Sequence, residues 1–511
     1  MALKSFWYLG QYNKPRIKLR PDAIRDNGDG ALLIDDEDVE FEVEFESNAE
    51  RDDVRDLLRA LCDPDSARWP ALRSDPAEGR FGEVVDALYV AGIVDEAASP
   101  TPSDLTNAPW RRLTLRYAQS VLADIEAKDS DALRRMTQHV DWLSAEAERL
   151  LAFADGNASQ AVAAGYQGDL WTQQNFNLIT MIVQMRYACR NNPPGLRLIA
   201  ACLSVIRAGL AKNAEATPDL ALDASVSPYL EHVYHARDAE ACLYAFCEFL
   251  RESVTPQAIR LTRLSGPRHG DVTGIGFALE SERYAKERSV DLGESRFLAT
   301  LQDPENHMLL APACYLQEYF VNYRFVETIT PMITKRLRPK FKQMFWRYYS
   351  EEIGHENFEL DTCIKLDISE EFIASHLPLP MTQAFCDAYS YLAECEELGY
   401  LTSVMVTEGI PGEPSLINRI LSDSPVLRSR FNEASLAHEE LNQELGHQFL
   451  SRIFLAEIAR IPPEAQRRAL DILSYMVELN FRAWEDLHRR ILLEGQPYMA
   501  PSLFEEAAAS H

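Results

Sequence analysis

From about residue 108 almost to the C-terminus, apolar residues recur every three or four positions, a period that favours α-helix over strand. The stretches TLRYAQSVLADIEA, ALRRMTQHVDWLSAEAERLLAFA, LITMIVQMRYAC and LRLIAACLSVIRAGLA carry it clearly and predict an all-α domain over 108–260. The segment 261–295 is rich in glycine and charge and reads as a connection between domains. Its GPRHGDVTGIG lacks the GK[ST] ending of a phosphate loop. Helical patterns resume over about 297–495, with breaks around GIPGEP and at PPE in 462–464. No internal repeat interrupts them.

The N-terminal hundred residues have another period. Val39, Phe41, Val43 and Phe45 alternate with Asp38, Glu40, Glu42, Glu44 and Glu46, which predicts a half-buried strand. Two helix-like segments, RDDVRDLLRALCD and GEVVDALYVAGIVDE, come after it. The pattern suggests a small winged-helix-like α+β domain over 1–98, with an acidic face suited to peptide or protein contact or simply to water. The Pro, Ser and Thr of AASPTPSDLTNAPW mark a linker.

With 79 acidic against 51 basic residues the formal net charge is −28, and no basic stripe relieves it. Such a chain repels polyphosphate, so a nucleic-acid partner is not expected. The nine cysteines are scattered and never spaced CxxC, a pattern of reduced thiols in a cytoplasm. No stretch reaches ~18 consecutive apolar residues, and the opening apolar run is too short for a secretory signal. The expectation is a cytoplasmic protein without a membrane span.

Chemistry concentrates in the last helical region. In APACYLQEYFVNYRFVETI, Glu318 has Cys314, Tyr315, Val321, Asn322 and Phe325 at its helical neighbour positions. A carboxylate on such a face is costly to bury unless paired or metal-bound. In YYSEEIGHENFEL, Glu352 and His355 are spaced i, i+3, which places both on one helical face. Glu408 ends an apolar run beside a glycine, and Glu440, Glu444 and His447 form an i, i+4, i+7 stripe. The order is Glu, ExxH, Glu, ExxH. Inward carboxylates on two helices with Glu-x-x-His on two others are the ligand pattern of dinuclear iron sites in helical bundles.

This arrangement, with the strings EEIGHE and VTEGIPG, resembles the heme-oxygenase-like di-iron oxidases and oxygenases over about 285–495. The resemblance implies a heme-oxygenase-like helical bundle that binds two irons rather than heme, with Glu318, Glu352, His355, Glu408, Glu444, His447 and Glu440 as the ligand set. An Asp often stands where this chain has Glu444, and Phe345 leaves Glu352 to serve the second helix. Glu440 competes with Glu408 for the last carboxylate place, while Glu351 and Glu356 read as solvated neighbours.

The resemblance further implies activation of O2 at two irons, or at a Mn/Fe pair, with electrons from an external reductant. It also implies that the substrate is an amine, an amino acid or amino-acid-like molecule, a fatty acid, or a carrier- or peptide-bound form, undergoing N-oxygenation, oxidative C–C cleavage or desaturation. Tyr315, Tyr348 and Asn322 are the expected pocket residues, with Tyr319, Tyr323 and Tyr349 as further aromatic candidates. The two N-terminal regions would present the substrate or build a homodimer. His232 and His235 form a separate i, i+3 pair in the middle region, whereas His376, His438 and His488 read as structural or exposed. Two rivals stay open: a thiol enzyme using Cys314, Cys386 or Cys395, and a metal-free interaction protein.

Overall fold

The computed structural model describes residues 15–17, 21–26, 31–36, 39–44, 48–62, 94–96, 108–126, 130–154, 169–211, 234–255, 264–413, 416–495 and 499–503. The chain divides into two units, Met1–Leu105 and Thr106–His511. Their boundary falls in the stretch predicted as a linker.

In the first unit, β1 (Pro15–Ile17) pairs antiparallel with β5 (Val94–Glu96). β2 (Ile24–Asp26), β3 (Ala31–Asp36) and β4 (Val39–Glu44) form an antiparallel sheet in that order, with Ile34 opposite Phe41 and Leu32 opposite Val43. Helix α1 (Asn48–Leu61) buries Val54 and Leu58, and Arg59 donates to the Ile24 carbonyl at 3.0 Å. The alternating strand and the helix after it lie where the pattern placed them. Most of GEVVDALYVAGIVDE, like His232 and the side chain of His235, lies outside the described residues.

The second unit is almost wholly helical. Its first helices are α2 (Ala108–Glu126), α3 (Ser130–Ala154), α4 (Phe176–Asn191), α5 (Pro193–Leu210) and α6 (Tyr234–Ser253). Next come α7 (Gly274–Leu292), α8 (Arg296–Leu301), α9 (His307–Thr334), α10 (Pro339–Glu352), α11 (Glu356–Lys365) and α12 (Glu370–Ser375). The C-terminal helices are α13 (Pro380–Cys395), α14 (Glu397–Thr407), α15 (Leu416–Ser422), α16 (Arg428–Leu445), α17 (Leu450–Ala456) and α18 (Pro463–His488). A short pair, β6 (His376–Leu377) with β7 (Ala500–Pro501), ties the last described residues to the α12 end.

Side-chain caps set several of these starts. Asn175 accepts from the Leu178 N–H at α4, and Asn192 accepts from Gly195 at α5, whose first residues are Pro193 and Pro194. Thr273 does the same for α7. The 261–295 segment is therefore more than a connection. Phe277, Ala278, Ser281, Tyr284, Ala285 and Arg288 line a buried helical face against α18, a spacing its glycines and charges concealed. At Gly274 an added Cβ would lie 1.7 Å from the Leu455 carbonyl oxygen, so only glycine permits this approach to α17.

The predicted division into a domain over 108–260 and another over 285–495 does not describe the packing. One hydrophobic core takes Ile179, Ile182 and Met185 of α4, Phe246 and Leu250 of α6, Ala388 and Leu392 of α13, and Leu473 and Met476 of α18. Thr180 Oγ1 and Tyr475 Oη, from the two expected domains, lie 3.1 Å apart. A second cluster gathers Phe297, Leu310, Tyr315, Cys363, Leu421 and Leu487. By length and composition α5 could cross a membrane; 50% of it is buried within the protein.

Candidate metal centre

Three helix ends converge on one buried point, and a left-handed glycine stands beside each. Helix α10 stops at Glu352; Gly354, at φ 91°, turns the chain so that His355 caps α11. Glu408 caps the C-terminus of α14, with Gly409 at φ 85° after it. Helix α16 stops at Leu445, Gly446 adopts φ 75°, and His447 opens a 3-10 turn. Neither ExxH thus lies on a continuous helix. Glu352 and His355 still meet, because the turn folds back and leaves Glu352 Oε2 3.0 Å from His355 Nδ1.

Glu352, Glu408 and His447 each bring a ligand atom within 4.8 Å of the others. His447 Nδ1 lies 3.1 Å from Glu352 Oε1 and 3.3 Å from Glu408 Oε2. Its Nε2 faces Glu351 Oε2 at 3.4 Å, so Glu351 belongs to the centre rather than to solvent. Glu408 is fixed from behind by the buried Tyr348 phenol, which donates to Oε1 at 2.6 Å.

A second group adjoins the first through His355. His438 Nε2 is 3.2 Å from His355 Nδ1, and His438 Nδ1 is 2.6 Å from Glu359 Oε1. Glu318, half-buried on α9, faces this group; its carboxyl is pushed up to about 8 by burial and by the Glu359 charge, against the pull of His438. Asn442 Nδ2 sits 3.2 Å from His438 Nε2.

The residues expected from sequence divide accordingly. Glu318, Glu352, His355, Glu408 and His447 converge. Glu440 and Glu444 do not: both are on the exposed face of α16, and the helix break at Gly446 removes His447 from their stripe. Asn322 lines the adjoining pocket, but Tyr315 and Tyr348 are buried behind it and are not among its lining residues. His438, read from sequence as structural or exposed, instead joins this group, and Glu359 was not singled out, since neither belongs to an ExxH. The available signal was the i, i+4 spacing of His355 and Glu359 across one turn of α11.

The donor set of Glu352, Glu408 and His447 could hold a metal ion. Glu352, His355, Glu359 and His447 are each at most 4% exposed; His355 Nε2 and Glu359 Oε2 are without a hydrogen-bond partner, while Glu352 Oε1 and His447 Nδ1 face each other at 3.1 Å. Buried polar atoms are rarely left so without reason. Burial opposes a charged His447, yet hydrogen bonds and charge from Glu352 and Glu408 push it up to about 10. Burial likewise works against His438, and Glu359 reverses the shift to upward. Protons on imidazoles thus offset the carboxylates, and cations could take over that role. Iron, manganese and zinc all accept such nitrogen and oxygen donors.

A pocket of about 1120 Å³ opens onto these carboxylates, bounded by α7, α9, α13, α14, α16 and α18. Phe325, Phe385, Val477, Phe481 and Trp484 supply much of its apolar wall. The candidate thiols do not share it. Burial pushes the Cys314 thiol up and that of Cys386 to about 12, and burial also raises exposed Cys395. None has the depressed value of an activated nucleophile.

The described residues therefore define a mainly α-helical protein with a buried carboxylate–imidazole centre at the foot of a large pocket. No family model matches the chain, and no curated protein matches it by sequence. Among solved structures, a domain of unknown function with a heme oxygenase-like fold from Shewanella denitrificans is similar, at 17% identity and a TM-score of 0.37, over 43% of this chain and 95% of that one.

Proposed function

We propose that this chain is a non-heme, dinuclear-metal oxidase or oxygenase of heme-oxygenase-like fold that uses O2 on an organic substrate held in the 1120 Å³ pocket. The observation that carries this reading is the convergence of Glu318, Glu352, Glu359 and Glu408 with His355, His438 and His447, with His355 Nε2 and Glu359 Oε2 unpartnered. One cation would be held by Glu352, Glu408 and His447, with Glu351 beside them. The other would be held by Glu318, Glu359, His355 and His438, and Glu352 reaches toward both groups.

Bound iron would supply the binding and reduction of dioxygen, with electrons from an external reductant. The chain's own groups prepare for it. Tyr348 donates to Glu408 Oε1 and so keeps Oε2 turned toward His447. Asn442 steadies His438. Behind Tyr348, Phe345 stacks on Phe454 with ring centroids 4.5 Å apart, and this aromatic wall excludes water from the far side. Glu318 holds its proton at neutral pH until a cation replaces it. The pocket side remains open for substrate.

The test is anaerobic ferrous loading with metal counted per chain, then an O2 pulse monitored by absorbance, on the native chain and His447→Ala. About two irons per chain and an absorbance transient lost in the variant support the reading. Absence of bound iron defeats it and favours the metal-free interaction protein.

A further inference from the structure

The expectation that no basic stripe relieves the acidic charge fails at α10. Between Glu327 and Glu351 the chain has no acidic residue, and Lys335, Arg336, Arg338, Lys340, Lys342 and Arg347 all fall in that interval. Three of them meet carboxylates: Lys335 with Glu397 at 3.0 Å, Lys340 with Glu457 at 2.5 Å and Arg347 with Glu351 at 2.6 Å. Arg338 donates to the Glu457 backbone carbonyl at 2.5 Å, and Lys342 Nζ lies 5.8 Å from the centre of the Trp346 ring. Among the described residues, Arg336 and Lys342 have no carboxylate partner. Helix stability does not ask for this charge. Pro339 opens α10, its first turn holds no acidic residue, and cations there oppose both the positive end of the helix dipole and one another. On a chain of net charge −28, the patch instead makes a local positive potential that orients an acidic partner as it approaches.

The same helix serves the metal centre from its other side. Phe345, Tyr348 and Glu352 are buried, whereas Lys340, Gln343, Trp346 and Arg347 lie on the opposite, exposed face. Trp346 is a large aromatic left 52% exposed in the middle of that face. Trp346 precedes Glu352 by six residues, ~9 Å along the axis. Beside it, the Phe345 ring stacks on Phe454, and Tyr348 donates to Glu408. Glu352 is the one α10 residue among the described lining residues of the pocket, so the basic face stands behind the aromatic wall and away from the pocket mouth. A partner that must insert a tethered substrate gains nothing there. A partner that only passes electrons needs proximity to the centre, and electron-transfer encounters are small interfaces steered by charge.

We propose that the outer face of α10 docks an acidic one-electron carrier protein, with Arg336, Arg338 and Lys342 meeting its carboxylates and Trp346 at the centre of the contact. Each encounter passes one electron and leaves the carrier oxidised by one. Two encounters return two ferric ions to ferrous, with no bond made or broken. The electron-transfer role rests on the dinuclear-metal reading, while the docking face is a property of the chain itself.

The first arm measures binding of an acidic plant-type [2Fe–2S] ferredoxin to the full metal-free chain by biolayer interferometry, at about 20 and about 200 mM salt. An acyl carrier protein and duplex DNA are the comparison ligands. Ferredoxin binding that weakens about tenfold at the higher salt, and about tenfold in Arg336→Glu with Lys342→Glu, supports the proposal. A control pair, Arg134→Glu with Arg207→Glu, makes the same charge change at exposed positions of α3 and α5 and should leave the affinity unchanged. An equal loss in that control overturns the proposal, as do absent ferredoxin binding, equal or tighter binding of the carrier protein or DNA, and a salt-sensitive dimer of the chain formed through the α10 residues. In the second arm the chain is loaded with iron and oxidised, and re-reduction is followed by absorbance. Reduced ferredoxin should act about tenfold more slowly on the α10 variant, with the dithionite rate unchanged; equal ferredoxin rates overturn the electron-transfer role. Failure to load iron instead defeats the dinuclear reading and that role with it, and the metal-free binding arm then still decides the docking face.

Discussion

Glu478 on α18 supports the site helix from the middle of the protein and offers a sharp test of how this fold is held. Its Oε2 pairs with Arg288 of α7 at 2.6 Å, and its Oε1 with Arg482 at 2.8 Å; the Arg288 and Glu478 side chains are 0% exposed. Arg288 Nε also donates to Ser474 at 2.9 Å, and Arg482 lies 3.9 Å over the Phe176 ring. Burial pushes the Glu478 carboxyl up despite both arginines, which shows how costly the dry environment is to a lone charge. Glu478→Ala leaves Arg288 buried beside a void, and breaking such a pair from one side costs about 3–5 kcal/mol. With an unfolding entropy of about 2.1 cal/mol/K per residue, a unit of roughly 400 residues has about 0.85 kcal/mol/K, so Tm should fall by about 4–6 °C. Differential scanning fluorimetry on the metal-free chain, with urea titration alongside, reads this directly. A second variant, Arg288→Met with Glu478→Leu, should recover part of the loss because neither charge remains. A Tm within about 1 °C of the native value in Glu478→Ala would refute the claim that this buried network bears on stability.

The site and its frame make further outcomes testable. Glu359→Gln should lower metal stoichiometry while Glu444→Gln leaves it unchanged, measured by metal analysis after dialysis; the reverse would restore the continuous-stripe arrangement expected from sequence. Gly446→Ala places a side chain at φ 75° in ordinary contact with Phe449 Cδ2 at 3.9 Å and without a clash, so the cost is backbone strain of about 1 kcal/mol, read as a small drop in urea midpoint. Burial raises the Glu146 carboxyl, but Arg149 and Arg186 outweigh it and hold it below its usual 4.5. The stability it contributes is present above that value and lost as pH falls through the lower folded value. Arg149→Leu should therefore move the acid-unfolding midpoint, monitored by circular dichroism, to higher pH.

The helical class was legible in the order of residues alone, because a three-to-four-residue apolar period over hundreds of residues leaves few other ways to bury a core. So were the acidic strand β4 and five of the residues that converge, since a carboxylate or imidazole on an apolar face stands out from its neighbours. Spacing along one helix was the limit of that logic. Gly354 and Gly446 break the helices between the paired positions, so Glu444 points to water while His447 turns inward, and the turn rather than the helix joins Glu352 to His355. His438 and Glu359 meet across two helices, a juxtaposition that no local period encodes. The same holds for the single core uniting α4 and α6 with α13 and α18, and for the helix hidden in the glycine-rich segment. Local pattern records which face of an element is apolar; which faces meet, and which polar atoms are thereby stranded together, is settled only when the elements pack.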